Sequence, residues 1–302
     1  MPSSPSKVRI TRRRFLTASA YAAAGVALYS GEIARHWIEI SHRDAYLPGL
    51  PAAFDGLRLV QLSDIHLDEF TEPYFLREAV NRINEINPDL VLLTGDYVTC
   101  SPISKRVSFL KGSVWQCANI LNELKCRQCY GVLGNHDFMT GEDEVIAALT
   151  DNGVHVLRNA SVPIERDGGR FWIAGVDDPV FGTPDAGLAI PKSIRNSSNE
   201  PVVLLCHAPD YVDDLLLEPE ARSVALMLSG HTHGGQIRLP FFGPFHLPVL
   251  GRKYVRGWFR FGNLQLYVNR GLGTVDLPFR LNCPPEITVF TLRAPGSSPN
   301  QV

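Results

Sequence analysis

Long apolar runs are missing from this chain. The most apolar stretch, Phe15 to Tyr29, is alanine-rich and shorter than the ~20 residues a helix needs to span a bilayer comfortably, a length that suits a signal h-region. Cysteine is scarce, with six in 302 residues. Cys126-x-x-Cys129 has no second pair to complete a four-thiolate zinc site. It closes a predicted helix rather than opening one, so no helix N-terminus favours a thiolate and a redox role is disfavoured. A local disulfide after export and two plain thiols both fit. Cys206 lies in an apolar run and reads as core packing. A basic surplus is also absent. The net charge is −2, and it divides into +4 for residues 1–40 and −6 for the rest. An acidic body lacks the footprint of a nucleic-acid binder, so no nucleic-acid partner is expected. No internal repeat occurs, and no linker is long enough to divide the body.

The N-terminus reads separately. Thr11-Arg12-Arg13-Arg14-Phe15-Leu16 followed by the alanine-rich stretch resembles a twin-arginine export signal. A solvated basic tail before a short helix is the alternative. No clean A-x-A site follows, so the segment is either removed or kept as an anchor with its arginines on the cytoplasmic side. Either way the body is expected outside the cytoplasm, periplasmic or anchored and facing outward. The expected organisation is a signal or anchor over 1–36, one domain over 37–293 and a tail over 294–302.

Residues 37–50 form an extended, mixed segment before a Pro-rich turn. RLVQLSD, DLVLLTGD and YGVLGNHD then alternate with helical patterns near Glu72–Asn87, over 104–124 and near Glu142–Asn152. Pro73 suits a first turn, and Leu76, Val80 and Ile83 make a stripe. The third helix is expected to stop at Gly153. Beyond it HVLRN, VPIER, RFWIAGVDD, PVVLLCHAP, IRLP, LQLYVNRG and EITVFTL are strand-like. An α/β first half joined to a β-rich second half suggests two packed sheets with helices outside.

Five polar clusters each follow an apolar run: Ser63-Asp64-Ile65-His66, Gly95-Asp96, Gly134-Asn135-His136-Asp137, His207, and Gly230-His231-Thr232-His233. Short apolar runs bounded by polar residues read as buried strands, and ligands bind beyond the carboxyl ends of such strands. Any one cluster has an ordinary reading as a cap, a turn or a core histidine. Together they would bring Asp, His and Asn donors to one rim, a hard and borderline set that needs no thiolate.

The series D-x-H, G-D, G-N-H-D, H, G-H-x-H resembles the calcineurin-like metallophosphoesterase superfamily. FDGLRLVQLSDIHL, SGHTHGGQIRLPFFGP and YVNRGLG…PFR…PPEITVFTL are similar to its bacterial YkuE-like phosphodiesterase branch. The resemblance covers residues 40 to 293. It implies a four-layer αββα sandwich of two mixed sheets flanked by helices, with metals at one end. One departure is Thr99, where many relatives carry a second Asp that is not a ligand.

By that resemblance Asp64, His66 and His233 hold a first divalent ion, Asn135, His207 and His231 a second, and Asp96 bridges them. The mixed N/O set suits Mn, Fe or Zn. Such a pair lowers the pKa of a bridging water and neutralises phosphate charge. The expected reaction is in-line attack of the bridging hydroxide on a phosphodiester or pyrophosphate, with His136 assisting the leaving oxygen. Asp137 either orients His136 or caps the next turn. Leu239–Pro248, with Arg252, Lys253, Arg256 and Arg260 beyond it, could receive a lipid-linked substrate or be an ordinary packed loop. His246 there reads as structural. Some members of the branch are UDP-2,3-diacylglucosamine hydrolases of lipid A synthesis. That is the second expectation, because the leader points away from the cytoplasmic side where that substrate is made. An exported binding protein that keeps the fold without turnover is the alternative of another class, and a protein Ser/Thr phosphatase is a further one that the leader disfavours.

Overall fold

A computed structural model describes residues 11–68, 70–100, 107–195 and 200–296. The basic residues Lys7 and Arg9, the first turn expected at 104–106 and the end of the tail lie outside them. In chain order the strands are β1 (Glu39–Tyr46), β2 (Arg58–Leu62), β3 (Leu90–Leu93), β4 (Cys129–Gly131), β5 (His155–Val156), β6 (Ala160–Arg166), β7 (Gly169–Gly175), β8 (Val202–Leu205), β9 (Val224–Ser229), β10 (Arg238–Leu239), β11 (Gly243–Pro244), β12 (Gly257–Phe261), β13 (Leu264–Val268) and β14 (Glu286–Arg293). The longer helices are α1 (Arg12–Leu28), α2 (Pro73–Ile86), α3 (Val107–Leu121) and α4 (Asn135–Asp151).

Two six-stranded mixed sheets form, ordered β1-β14-β2-β3-β4-β5 and β12-β13-β9-β8-β7-β6. Side chains of a strand alternate between faces, and here the alternation sorts residues into layers. Leu59, Leu90 and Leu92 meet Val203, Leu205, Leu226 and Leu228 between the sheets. Val60, Leu62, Val91 and Leu93 turn outward onto Leu76, Val80 and Ile83 of α2 and Val114, Cys117 and Leu121 of α3. Val202, Leu204 and Met227 face the other way, under Ile190, Tyr211, Val212 and Leu215. Because both faces of β2, β3, β8 and β9 are covered, their sequences read as continuous apolar runs. The expected αββα sandwich is present, although the second helical layer is built from single-turn helices such as Val212–Leu215.

Some elements differ from the sequence pattern. The mixed segment 37–50 contains β1, which runs parallel to β14 from Glu39 opposite Glu286 to Tyr46 opposite Arg293. It is an edge strand with exposed His42, Arg43 and Asp44, the charged composition that keeps edges from pairing further. β12 is a half-exposed edge of the second sheet. The third helix starts at Asn135, inside the ligand motif, and not at Glu142. Gly141, at φ 124°, interrupts it, so only the second segment carried helical periodicity. The tract YGVLGNHD supplies two strand residues, Tyr130 and Gly131, and IRLP two.

α1 is capped by the Thr11 hydroxyl, which accepts from Arg14 N–H, and none of its residues is buried. Among the described residues no helix is long and apolar enough to cross a membrane. Cys126 and Cys129 are free thiols, with the Cys126 Sγ toward the Asp89 carbonyl.

Candidate metal centre

Each expected ligand sits just past a strand end. Asp64 and His66 follow β2, Asp96 follows β3, and Asn135 opens α4 after β4. From the second sheet, His207 follows β8, and His231 and His233 follow β9. The structure therefore brings all seven to one end of the sandwich, and each cluster mixes donors of both sheets. Ligand atoms of Asp64, His66 and His233 lie within 4.8 Å of one another, as do those of Asp96, His207 and His231. Asp96 also approaches the first cluster, with its Oδ2 3.5 Å from His66 Nε2 and 3.0 Å from His207 Nε2. This is the placement a bridging carboxylate needs.

The backbone is bent hard to achieve it. Asp64, His66, Asp96, His231 and His233 all have positive φ, between 48° and 68°. L-residues outside turns rarely adopt this conformation, and each costs on the order of 1 kcal/mol or more. Strain at five of seven positions marks a site that the surrounding packing imposes. Gly134 permits the approach of the β3 and β4 loops, since a Cβ there would overlap the Asp96 carboxylate.

Hydrogen bonds set which nitrogen each imidazole presents. His207 Nδ1 lies 2.6 Å from the Thr94 carbonyl and His231 Nε2 2.7 Å from the Val249 carbonyl, so each N–H donates outward and the other nitrogen faces the cluster. His66 Nδ1 meets the Thr99 hydroxyl at 3.1 Å. Thr99 thus supplies a neutral partner to a ligand where the resembled family often has a carboxylate. Such outer partners fix ring orientation and ligand basicity. His66 and His233 leave their Nε2 atoms 3.0 Å apart. Two donors that close need a cation or a shared proton between them.

The donor set fits a metal on a further observation. Asn135 Oδ1 and His207 Nε2 are buried and accept no hydrogen bond. Buried polar atoms are rarely left unpaired, and an absent ion is one accepted reason. The electrostatics agree for three of the four histidines; burial opposes a charge on His207, but the Asp96 carboxylate prevails and holds it well above the usual range. Burial pushes His66 down to about 3 and His231 down to about 4, and burial with the neighbouring His66 and Arg280 holds His233 well below the usual range. Neutral imidazole is the ligating form. Burial resists the Asp96 charge, but His207 and His136 outweigh it and keep the carboxyl ionised. Burial raises Asp64 to about 6, a position that a nearby cation would reverse.

His136 stands over the centre. Its Nδ1 is 2.9 Å from the Cys100 carbonyl, its backbone N–H donates to Asp96 Oδ1 at 2.8 Å, and its ring is 4.8 Å from that of His66. It lines a cavity of about 370 Å³ with Asp96, Asn135, His231 and His233 on the floor. Phe245, His246 and Pro248 form one wall and Val275, Asp276 and Leu277 another. Of the 239–248 loop, only the end from Phe245 to Pro248 therefore reaches the cavity, whereas Lys253 is bound to Asp213 at 2.8 Å.

Asp137 does not touch His136's ring nitrogens. Its carboxylate accepts from the backbone N–H groups of Gly134 (2.8 Å), Asp96 (2.8 Å) and Tyr97 (2.9 Å), the cap reading extended into a clamp on Asp96. Arg280 was missed by motif reasoning. It is fully buried, donates to the carbonyls of Gly273, Arg270 and Cys283, and places Nη2 3.4 Å from His233 Nδ1. Burial pulls it down to about 10. The sequence signal was the PFR string, which carried resemblance but no assigned role.

Comparison with known proteins agrees with this geometry. The calcineurin-like phosphoesterase family profile matches residues 57–235. The chain is 36% identical over 296 residues to Uncharacterized metallophosphoesterase YkuE of Bacillus subtilis, covering 95% of this chain and 99% of that one. It is 33% identical over 293 residues to Phosphodiesterase YaeI of Escherichia coli, covering 94% and 99%. A Transmembrane protein with metallophosphoesterase domain of Danio rerio is 32% identical over 254 residues, covering 81% of this chain and 55% of that one. With aspartate and histidine clusters suited to divalent metals at the strand ends of a two-sheet sandwich, this chain belongs to the calcineurin-like phosphoesterase family and is a phosphoester-hydrolysing enzyme.

Proposed function

We propose that the chain is an exported phosphodiesterase whose residues 37–293 cleave a phosphodiester or pyrophosphate with two divalent ions of the Mn, Fe or Zn type. The observation that carries the reading is the pair of clusters sharing Asp96, with His136 over them at the cavity floor. The E. coli relative called a phosphodiesterase supports the diester.

Asp64, His66 and His233 would hold one ion and Asn135, His207 and His231 the other, with Asp96 between. Ions so held would supply Lewis acidity and lower the pKa of water. The protein's own groups do the rest. Thr94, Val249 and Thr99 fix the ligand imidazoles. The apolar lining from Phe245, Pro248 and Leu277 limits the access of bulk water to the substrate. His136, tethered through Nδ1 to Cys100, presents Nε2 to the departing oxygen and gives it a proton or a hydrogen bond.

The test is turnover by metal-stripped protein of bis-p-nitrophenyl phosphate against p-nitrophenyl phosphate, with Mn, Fe or Zn restored. Diester preference is expected, and His136→Ala should lower kcat by about 10²–10⁴-fold with metal content retained. Turnover near wild type in that variant would remove His136 from the chemistry. The apolar cavity wall favours an acylated substrate as a second reading, UDP-2,3-diacylglucosamine among them; that nucleotide lipid as a competitor of the chromogenic diester tests it.

A further inference from the structure

The cavity mouth opens into an apolar surface that no described residue covers. The hairpin β10–β11 turns at Phe241 and Phe242, which are 105% and 86% exposed, and Phe245 beside them is 71% exposed. Leu239, Val249 and Leu277 extend the patch. Phe245 and Leu277 also line the catalytic cavity, so surface and cavity are continuous. Isolated exposed apolar residues are ordinary, but a contiguous group marks an interaction site.

A second uncovered element starts from the same rim. Two residues beyond Leu277, the ring of Phe279 packs on Gly31, and Arg280 N–H donates to the Ser30 carbonyl at 3.0 Å. This is the root of α1. The helix runs about 25 Å from there at 1.5 Å per residue, with Phe15, Leu16, Tyr21, Val26 and Leu28 exposed. A helix that buries none of its residues among the described part of the chain is expected to have a partner outside it. Its far end carries Arg12, Arg13 and Arg14.

Cations flank the hairpin as well. Arg238 opens β10, and Arg256 is tied to it through Asn282, whose carbonyl Arg256 approaches at 3.5 Å and whose amide donates to the Arg238 carbonyl at 2.9 Å. Among the described residues neither arginine has an ion-pair partner. Burial and the neighbouring Arg256 cation both hold Arg238 below its ordinary value. Aromatic tips with guanidinium groups at their base that meet carbonyls and no carboxylate match a lipid interface, where rings enter the acyl boundary and arginines meet anionic headgroups.

We infer that the β10–β11 hairpin, with the root of α1, docks the enzyme on a bilayer bearing anionic headgroups and holds the cavity mouth at the membrane surface. The inference rests on the exposed surface and not on any turnover.

The experiment is co-sedimentation of the full chain with vesicles of phosphatidylcholine alone and of phosphatidylcholine with phosphatidylglycerol. Wild type should bind the anionic vesicles preferentially. Phe241→Ser/Phe242→Ser should partition about tenfold less, with circular dichroism and turnover of the soluble diester unchanged, because neither ring lines the cavity. Arg238→Gln/Arg256→Gln should lose about fivefold per arginine on anionic vesicles only. Vesicle binding by the phenylalanine variant equal to wild type would place the membrane contact on α1 alone and overturn the hairpin's role. Failure of wild type to bind either vesicle would overturn the inference too. If sedimentation velocity then showed self-association that the phenylalanine variant abolishes, the patch would be an interface between two copies.

Discussion

Asp137→Asn offers a sharp test of how the centre is held. Oδ2 of Asp137 accepts from Gly134 and Asp96, and Oδ1 accepts from Tyr97. Three donors spread over both oxygens describe an ionised acceptor, although burial and the Asp96 charge work against it. Asn keeps the shape and one accepting oxygen. Its amide must then face a backbone N–H, so one charge-assisted bond becomes a donor–donor clash and two become neutral. Hydrogen bonds to charged groups contribute about 1.5–3 kcal/mol each, and an unsatisfied buried donor costs a similar amount. A destabilisation of about 2–4 kcal/mol follows. The clash then falls on the N–H of Tyr97 and the bond to the N–H of Asp96 is weakened, so the Asp96 backbone loosens and metal affinity should drop as well. Urea denaturation of the metal-free protein reads the first effect and metal titration the second. An unchanged denaturation midpoint with a fall in kcat alone would refute the clamp and make Asp137 an orienter of His136.

Gly134→Ala should displace the Asp96 carboxylate, because a Cβ there overlaps it; overpacking of about 1–3 kcal/mol and loss of bound metal are expected, read by thermal melting and metal analysis. Thr99→Val removes the hydroxyl 3.1 Å from His66 Nδ1 and should weaken metal binding about 10–100-fold with little change in melting temperature, whereas Thr99→Ser should restore it. Glu286 is buried and bound to Arg270 at 3.0 Å; burial opposes its charge, but Arg270 prevails and its pKa lies below the ordinary 4.5. Because the folded pKa is depressed, its stabilisation is complete above 4.5 and fades as pH falls below it. Glu286→Gln should therefore destabilise at pH 7 and approach wild type in acid; a constant difference across that range would count against the ion pair.

How much of this was legible follows from burial. Strands covered on both faces must be apolar throughout, so β2, β3, β8 and β9 announced themselves and the polar residues after them stood out as the rim. β1 and β12 escaped because an edge strand carries charge on its open side, as His42, Arg43 and Asp44 do. The start of α4 was hidden for a different reason. Its first turn is spent on Asn135, His136 and Asp137, whose polar side chains serve the site and break helical periodicity before Gly141 interrupts it. Asp137 was visible as a cap but not as a clamp, since its partners on Asp96 and Tyr97 lie 40 or so positions back along the chain. Arg280 was visible only within the PFR string and not as a site residue, because an arginine in a loop is normally solvated and only the fold closes over this one.

The mixed origin of the two ligand clusters has a mechanical consequence. Asp64, His66, Asp96 and Asn135 hang from one sheet, and His207, His231 and His233 from the other. The middle of the sandwich is closed by leucines and needs nothing else, but this end is closed by carboxylates, lone pairs and backbone held in left-handed turns. An ion held there would act as a rivet through both layers, stabilising the folded chain in proportion to its occupancy. Demetallation would then be an unfastening as well as a loss of chemistry, with the first amides to exchange expected at the ends of β2, β3, β8 and β9 and the far end of the same strands still shut.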